Sequence, residues 1–247
     1  MLFNYTQRRD YMRVSVAASA AEAAYHNLSE TTVVVIDVLR ATTVITTALA
    51  NGAEAIIPVT EIDEAKSLAE ELAVPNLLLA GERQALLIPG FDLGNSPLAF
   101  CADRVRDKLI IMTTSNGTRA LQAAKQAPGI LVGCLLNAAA IAKELLAQEH
   151  IMLLCSGTAN RADMSDCMAA AAILTELQNL GVKLDMDDFA RLCLAFYVSS
   201  NIHESLSSSL HGKRLLHLGL EQDIRYCSQL NSLDIVPVYD GERIRTR

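Results

Sequence analysis

The sequence predicts an α/β protein: a three-layer α/β/α architecture built around a mostly parallel or mixed sheet. Short β-branched apolar runs alternate with stretches rich in Ala, Leu and Glu along most of the chain, a pattern typical of strand–helix–strand units. The strand-like runs are apolar throughout, so we expect strands that are covered by helices on both faces. With 247 residues and a hydrophobic content of 51%, the chain has enough apolar surface for such a core.

The first half of the chain contains most of the predicted strands. A strand at 32–38 leads into a helix that ends at Asn51-Gly52, a common helix stop. A strand at 55–59 precedes a helix at about 61–73, for which Thr60 and Asp63 have the spacing of a capping box. Further strands are predicted at 77–80, 108–113, 130–134 and 151–155.

The second half is predicted to be mainly helical, from residue 163 to about residue 220. A last strand is expected at 234–238, and residues 241–247 are interpreted as a solvated tail. No linker rich in Pro, Gly or Ser and no internal repeat interrupts the chain. We therefore expect one compact domain over residues 1–247, which could divide into two lobes at about 1–155 and 156–247.

The composition of the chain argues against several kinds of binding partner. A net charge of −7 argues against nucleic-acid binding, which rests on clustered Lys and Arg. The six cysteines lack metal-ligand spacing and suit a reducing compartment. The N-terminus has no apolar export segment, and no run of 18 apolar residues could span a membrane. We expect a cytoplasmic protein that binds neither nucleic acid nor a membrane, with the Ala-rich segment 137–148 suited to contacts in a homo-oligomer. An acidic protein can still bind a small anion where local Arg side chains and helix N-termini overcome its average field.

Four strand ends carry unusual polar residues, and ligands in open α/β sheets bind beyond the carboxyl ends of strands. At the first, Asp37 ends an apolar strand, and Arg40, Thr42 and Thr43 open the next helix. The carboxylate could hold a metal ion, while Arg40 and the free N–H groups of the helix start could bind phosphate. Alternatively, Asp37 only caps the helix and the threonines fill turn positions.

The second strand end is TTSNGT at 113–118, which also begins a helix. Its hydroxyl, amide and backbone donors could bind an anion, although it lacks the Gly-Lys-Ser ending of a Walker loop. An ordinary Asn-Gly turn with Ser and Thr capping is the alternative. The candidate substrate-binding residues here are Thr114, Ser115, Asn116, Gly117 and Thr118.

At the third strand end, Glu82 and Arg83 follow the strand at 77–80, and Asn95 and Ser96 lie in a Gly-rich stretch shortly after. Glu82 is a candidate second metal ligand or general base. The other three residues are candidates for substrate binding, because such loops are exposed and well placed for it. A surface ion pair followed by a turn is the alternative.

The fourth strand end follows the strand at 151–155. Asn160 lies in the loop as a candidate substrate ligand, and Asp163 and Asp166 are three residues apart at a helix start, so both can face the same way. These acids could bind a metal ion or could only be favourable partners of the helix dipole. The five His residues have no ligand spacing, and His211 is only a weak candidate for the site.

Several segments taken together resemble the 2-phosphosulfolactate phosphatase family, known from coenzyme M biosynthesis. They are VVVIDVLRATTVITTALANGA, AGER, GFDLGNSP, TTSNGTRAL, GTANRADMSDCMAA and SLHGKRLLHLGLEQDIRYCSQLN, and the resemblance runs from about residue 30 to the C-terminus. It implies an α/β fold, dependence on Mg²⁺, and hydrolysis of (2R)-2-phospho-3-sulfolactate to 3-sulfolactate and phosphate. Its motifs point to Asp37, Arg40, Thr42, Glu82, Asn95, Ser115, Asn116 and Asp166. One departure is Ser165, where the family more often has Glu.

We therefore expect a phosphoric monoester hydrolase with Asp37, Arg40 and Glu82 as catalytic residues. Asp37, together with Glu82 or Asp166, would hold Mg²⁺ against a phosphate oxygen while water attacks phosphorus. The 113–118 loop would hold the sulfonate or carboxylate end of the substrate. One alternative is an aspartyl-phosphate intermediate on another phospho-acid, against which the missing DxD pattern argues. The other alternative is a non-catalytic sensor of a small phosphorylated or sulfonated acid.

Overall fold

The computed structural model describes residues 11–247. Predictions that concern residues 1–10, namely the lack of an export segment and their place in the domain, lie outside the described residues. In the described part, no helix is both long and apolar enough to cross a membrane.

The described residues form eleven strands and ten α-helices. The strands are β1 (Met12–Ala17), β2 (Thr32–Ile36), β3 (Ala55–Pro58), β4 (Leu77–Arg83), β5 (Leu86–Leu87), β6 (Leu109–Thr113), β7 (Gly129–Gly133), β8 (His150–Cys155), β9 (Leu184–Met186), β10 (Pro237–Tyr239) and β11 (Ile244–Thr246). The helices are α1 (Ala41–Ala50), α2 (Ile62–Leu72), α3 (Ala102–Val105), α4 (Gly117–Ala123), α5 (Ala138–Glu144), α6 (Met164–Asn179), α7 (Asp188–Val198), α8 (Ile202–Ser208), α9 (Leu210–His217) and α10 (Glu221–Cys227). Short 3₁₀ turns lie at Ala20–Tyr25, Pro97–Ala99, Leu135–Asn137 and Leu145–Ala147.

The predicted α/β class is confirmed, and so are the strands expected in the first half of the chain. Four strands were not predicted from the sequence: β1, β5, β9 and β11. The reading of residues 241–247 as a solvated tail was wrong, because Ile244 is buried and β11 pairs with both β10 and β3. The expected capping box is shifted by one residue, since Glu61 and Glu64 form it rather than Thr60 and Asp63. The mainly helical segment expected from residue 163 to about residue 220 is confirmed, although the short strand β9 interrupts it.

The sheet consists of two parallel halves that run in opposite directions. Strands β4, β6 and β3 form one half, and β7, β2, β8, β1 and β9 form the other. The β10–β11 hairpin lies between the halves, and all three of its joins, with β7, within itself and with β3, are antiparallel. Three antiparallel joins reverse the direction of the sheet. The division into one domain or two lobes stays a prediction, although the sheet unites strands from both proposed lobes.

Helices cover both faces of the sheet, and β2 shows this most clearly. Val33 and Val35 belong to the core that includes α1 and α4, whereas Val34 and Ile36 belong to the core that includes α5 and α6. All four side chains have no exposed surface. Burial of one such side chain stabilises the fold by roughly 1.5–3 kcal/mol, so apolar residues are favoured at positions 33–36 of this strand. The chain then emerges at Asp37, at the carboxyl end of β2.

Candidate active site

The turn from β2 to α1 is held together by the side chains that the sequence singled out. The Asp37 carboxylate accepts a hydrogen bond from the N–H of Ala41 at 3.2 Å, at the start of α1. The Thr42 hydroxyl accepts the N–H of Asp37 at 3.0 Å, and the Thr43 hydroxyl donates to the carbonyl of Val38 at 2.8 Å. The structure thus uses both threonine hydroxyls to shape the turn. Asp37 is both a helix-start partner and a buried carboxylate at the strand end.

Asp166 joins this turn to the loop that follows β8. It lies in the first turn of α6 and is buried. One carboxylate oxygen accepts the N–H of Val38 at 2.9 Å, and the other accepts the N–H of Gly157 at 3.0 Å and the hydroxyl of Ser156 at 3.1 Å. Asp166 therefore sets the distance between the ends of two adjacent strands and points its carboxylate at the same region as Asp37.

Asp163 is the N-cap of α6, as the helix-start alternative proposed. Its carboxylate accepts the N–H of Ser165 at 2.9 Å and the hydroxyl of Thr158 at 3.0 Å. The Ser165 hydroxyl also donates to it. Ser165, which stands where the family more often has Glu, thus stabilises the N-cap by bonding to Asp163. Asp163 in turn adds negative charge beside the other carboxylates.

Glu82 comes from β4, in the opposite half of the sheet, and still reaches this region. Its two oxygens accept the N–H of Ser115 at 2.8 Å and the N–H of Ala85 at 2.7 Å. The carboxylate therefore links the β4–β5 turn to the loop before α4. It is buried, and its charge acts on Asp37.

The loop before α4 approaches Asp37 closely because residue 117 is glycine. A Cβ at Gly117 would lie 2.5 Å from the Cβ of Ala41 and 2.9 Å from an Asp37 carboxylate oxygen, so only glycine fits. Thr114 and Thr118 bond to each other's backbone N–H and stiffen the loop. Within residues 11–247, the Ser115 and Asn116 side chains have no protein hydrogen-bond partner, which leaves them available to a ligand.

Two buried carboxylates of the cluster, Asp37 and Asp166, have raised pKa values. Burial raises the pKa of Asp37 to about 6, with further upward contributions from the charges of Glu82 and Asp163 and a downward one from the Ala41 N–H. Burial also raises the pKa of Asp166 well above its ordinary value, and the charges of Asp163 and Asp37 add to the rise. Buried acids of like charge are costly without a cation, so this cluster is electrostatically prepared for one.

The donor chemistry of the cluster suits Mg²⁺, although its side chains alone do not form a complete set of metal ligands. Among the described residues, no group of three or more His, Cys, Asp or Glu side chains is placed to hold a metal ion by itself. Mg²⁺ commonly uses only one or two protein carboxylates and completes its shell with water and substrate phosphate. The role of Asp37, Glu82 and Asp166 as metal ligands stays a prediction on that basis.

Arg40 is buried beside the cluster and is held by two partners. Its Nη1 donates to Asp223 of α10 at 2.6 Å, and its Nη2 donates to the carbonyl of Ala85 at 3.1 Å. Its Nε is buried and has no hydrogen-bond partner among the described residues. The carbonyl oxygen of the Asn95 side chain is likewise buried without a partner there. Buried polar atoms normally have partners, so both atoms indicate where a ligand could bind.

Other predicted substrate residues have different surroundings. Arg83 donates to the carbonyls of Glu82 and Thr60 and to the Thr113 hydroxyl, so its guanidinium holds loops together. Ser96 donates to Asp223 at 2.6 Å. Asn160 is exposed and has φ of 58° in a turn closed by Thr158 and Arg161.

Two residues of the C-terminal helices lie near the site: Asp223, which was not predicted from the sequence, and His211, which was predicted only as a weak candidate. Asp223 is 2% exposed, and its position on the apolar face of α10, with Leu220, Ile224 and Cys227, could have revealed it. His211 lies at the start of α9, half-buried, in the electrostatic field of Asp163, Arg40 and Glu82. Burial lowers the pKa of His211, so its ring is neutral at pH 7.

A family model and several related proteins that match this chain carry the same description. A family model described as 2-phosphosulpholactate phosphatase matches residues 18–242. A protein of Caldanaerobacter subterraneus subsp. tengcongensis named probable 2-phosphosulfolactate phosphatase is 40% identical over 223 residues, which cover 89% of this chain and 92% of that protein. Proteins of the same name from Clostridium perfringens and Clostridium beijerinckii are 41% and 34% identical, over 95% and 94% of this chain and 96% and 99% of their own lengths.

Proposed function

The chain belongs to the 2-phosphosulfolactate phosphatase family, and from that premise we propose that it is a phosphoric monoester hydrolase that releases phosphate from (2R)-2-phospho-3-sulfolactate with the help of Mg²⁺. The observation that carries this proposal is the convergence of Asp37, Glu82 and Asp166 beside the buried guanidinium of Arg40. This combination places acids for a cation next to a fixed positive charge for an anion, as phosphoryl transfer requires.

The metal ion would bind where Asp37 is closest to the other acids. A bound Mg²⁺ supplies charge neutralisation on a phosphate oxygen and orients the ester. Asp37 is the best candidate ligand, because it is buried at the strand end and lies in the electrostatic field of the Glu82 and Asp163 charges. Asp166, with both oxygens bonded to the backbone, would mainly keep Asp37 and the 156–157 loop in place.

The anionic substrate needs several donors at short range, and three parts of the chain supply them. Arg40 offers its unpartnered Nε–H to a phosphate oxygen. Ser115 and Asn116, at the start of α4, would receive the sulfonate or carboxylate end. His211 lies in the electrostatic field of the same acids and Arg40. As a neutral imidazole it has one N–H that can donate to the anion and one free ring nitrogen that would accept the proton lost by the attacking water.

The direct test is a phosphate-release assay with purified protein and synthetic 2-phosphosulfolactate, with Mg²⁺ and with EDTA. We expect turnover that Mg²⁺ supports and EDTA abolishes, and phospholactate without the sulfonate should be a poorer substrate. Saturable binding without turnover would instead support the sensor. If rapid quench traps a phosphorylated Asp37, the reaction proceeds through an aspartyl phosphate and not by direct attack of water on the substrate.

Coenzyme M biosynthesis is the proposed pathway context of this activity. The cytoplasmic location and contacts in a homo-oligomer also stay predictions. Size-exclusion chromatography with light scattering measures the oligomeric state directly.

A further inference from the structure

Asp223 and Arg40 form the one ion pair among those described in which both side chains are almost completely buried. The Asp223 and Arg40 side chains are 3% and 2% exposed, and the Nη1 to Oδ2 distance is 2.6 Å. Removing two charges from water costs several kcal/mol for each ion, and an ion pair recovers this cost only if its geometry is good and the remaining polar atoms are satisfied. Stability alone therefore does not account for a pair of this kind.

The remaining polar atoms of the pair are satisfied with one exception. The second oxygen of Asp223 accepts the Ser96 hydroxyl at 2.6 Å, and the Nη2 of Arg40 donates to the carbonyl of Ala85. The guanidinium is therefore fixed at both of its terminal nitrogens, by α10 on one side and by the β4–β5 turn on the other. The exception is Nε–H, which is buried and has no partner among residues 11–247.

We propose that Asp223 is a positioning residue: it holds the Arg40 guanidinium so that Nε–H is presented, unpaired and oriented, to an oxygen of a bound phosphate group. Asp223 touches no substrate atom in this arrangement. It acts through Arg40, and Ser96 supports it by fixing the carboxylate from the other side. The inference rests on the proposed function in that the anion received by Arg40 is taken to be the substrate's phosphate.

The arrangement also explains why α10 belongs to the site although it is distant from it in sequence. Arg40 opens α1, and Asp223 lies 183 residues later in the chain. A Lys at position 40 could keep the charge, but it could not bond to Asp223, the Ala85 carbonyl and a ligand in fixed directions, as a planar guanidinium can. The C-terminal helices thereby determine the direction of an N-terminal donor.

The experiment is a double-mutant cycle on the binding of inorganic phosphate, measured by calorimetry with Mg²⁺ present. In protein that keeps Arg40, Asp223→Asn should weaken phosphate binding by about 10- to 100-fold, the range expected when a hydrogen bond to a charged group is lost. In an Arg40→Met background, the same Asp223 substitution should change the affinity by less than about twofold, because its effect runs through Arg40. Equal effects in both backgrounds, or none in the first, overturn the proposal.

A second measurement uses NMR to observe the Nε–H group of Arg40 directly. The ¹⁵N–¹H resonance of Arg40 Nε should shift when phosphate is added to the wild type and should respond much less in Asp223→Asn. Glu221→Gln is the matched control, because it removes an exposed ion pair with Arg225 on the same helix and should leave phosphate binding unchanged.

Asp223→Asn leaves a buried charge unpaired and could unfold the protein, so Ser96→Ala serves as the milder variant. It keeps both charges and removes only the hydroxyl bond to Asp223, and it should weaken phosphate binding by about 3- to 10-fold. That loss should vanish in the Arg40→Met background; a loss that persists there means that Ser96 binds the anion directly and contradicts the proposal. Phosphate binding is measured without turnover, so absent phosphatase activity would count against the proposed function and not against this role of Asp223.

Discussion

Replacing Asp37 by Asn should stabilise the metal-free protein while it destroys the proposed activity. The pKa of Asp37 is raised from its ordinary value of 3.8 to about 6, so the folded state holds this proton more tightly than the unfolded chain. Between these two pH values the folded state binds more protons, and its free energy of unfolding therefore falls as the pH rises. Asn has nearly the same shape and no charge to desolvate, so the variant avoids this loss.

The size of the effect follows from the rise in pKa. Each pKa unit is worth about 1.4 kcal/mol, so a rise from 3.8 to about 6 corresponds to about 3 kcal/mol above pH 6. Urea unfolding in EDTA at pH 7.5 should show a gain of this order for the variant, and the gain should shrink as the pH approaches 4. For a chain of this length, 3 kcal/mol is roughly 6–12 °C in Tm. Added Mg²⁺ should raise the Tm of the wild type and leave that of the variant unchanged.

Asp240→Asn is the matched control. Asp240 lies on the surface and its pKa is lowered by the N–H groups of Arg243 and Glu242, so removing its charge should give no gain in stability at pH 7.5. If Asp37→Asn is no more stable than the wild type in EDTA at pH 7.5, burial and the neighbouring charges do not destabilise the ionised Asp37 carboxylate. The electrostatic reason to place a cation beside Asp37 is then refuted.

Gly117→Ala should lower phosphate release at least about tenfold, because its Cβ would displace Ala41 and Asp37, whereas Gly129→Ala, with only ordinary contacts around it, should stay near wild-type kcat/KM. His211→Gln should reduce kcat by about 100-fold if the imidazole transfers a proton, against little change for the exposed His217→Gln in the same helix; equal kcat values for both would remove His211 from the mechanism. Arg83→Met should destabilise the protein by roughly 1–3 kcal/mol in urea unfolding through its lost loop contacts, with KM within about threefold of the wild type; a large rise in KM at unchanged stability would contradict this assignment.

Much of the candidate site could be predicted because its acids follow strands that the sequence marks clearly. Asp37 follows the apolar run of β2, and Asp166 opens the helix after β8, so adjacent parallel strands bring them together. Glu82 and the 113–118 loop were also predicted, but for an incomplete reason. Their strands run opposite to β2, so a shared carboxyl edge of one parallel sheet does not account for their meeting.

The roles of the arginines could not be assigned in advance. Arg40 lies shortly after β2 and Arg83 is the last residue of β4, and both were predicted to suit an anion. The structure gives Arg83 three protein acceptors and leaves an unpaired N–H on Arg40. Which donors stay free depends on carbonyls and acids from distant segments, such as Thr60 for Arg83 and Asp223 for Arg40, and a local pattern carries no such information.

The amino-acid sequence alone determined the class of fold, the positions of its main strands along the chain and the identity of most acids near the site, because burial and periodicity are local properties. The tertiary structure alone decided how the two halves of the sheet are joined. It also decided that α10 supplies Asp223 and that α9 brings His211 to the cluster. These placements depend on pairings such as β11 with β3 and on contacts almost two hundred residues apart, where the free energy lies in packing between segments and in no single segment.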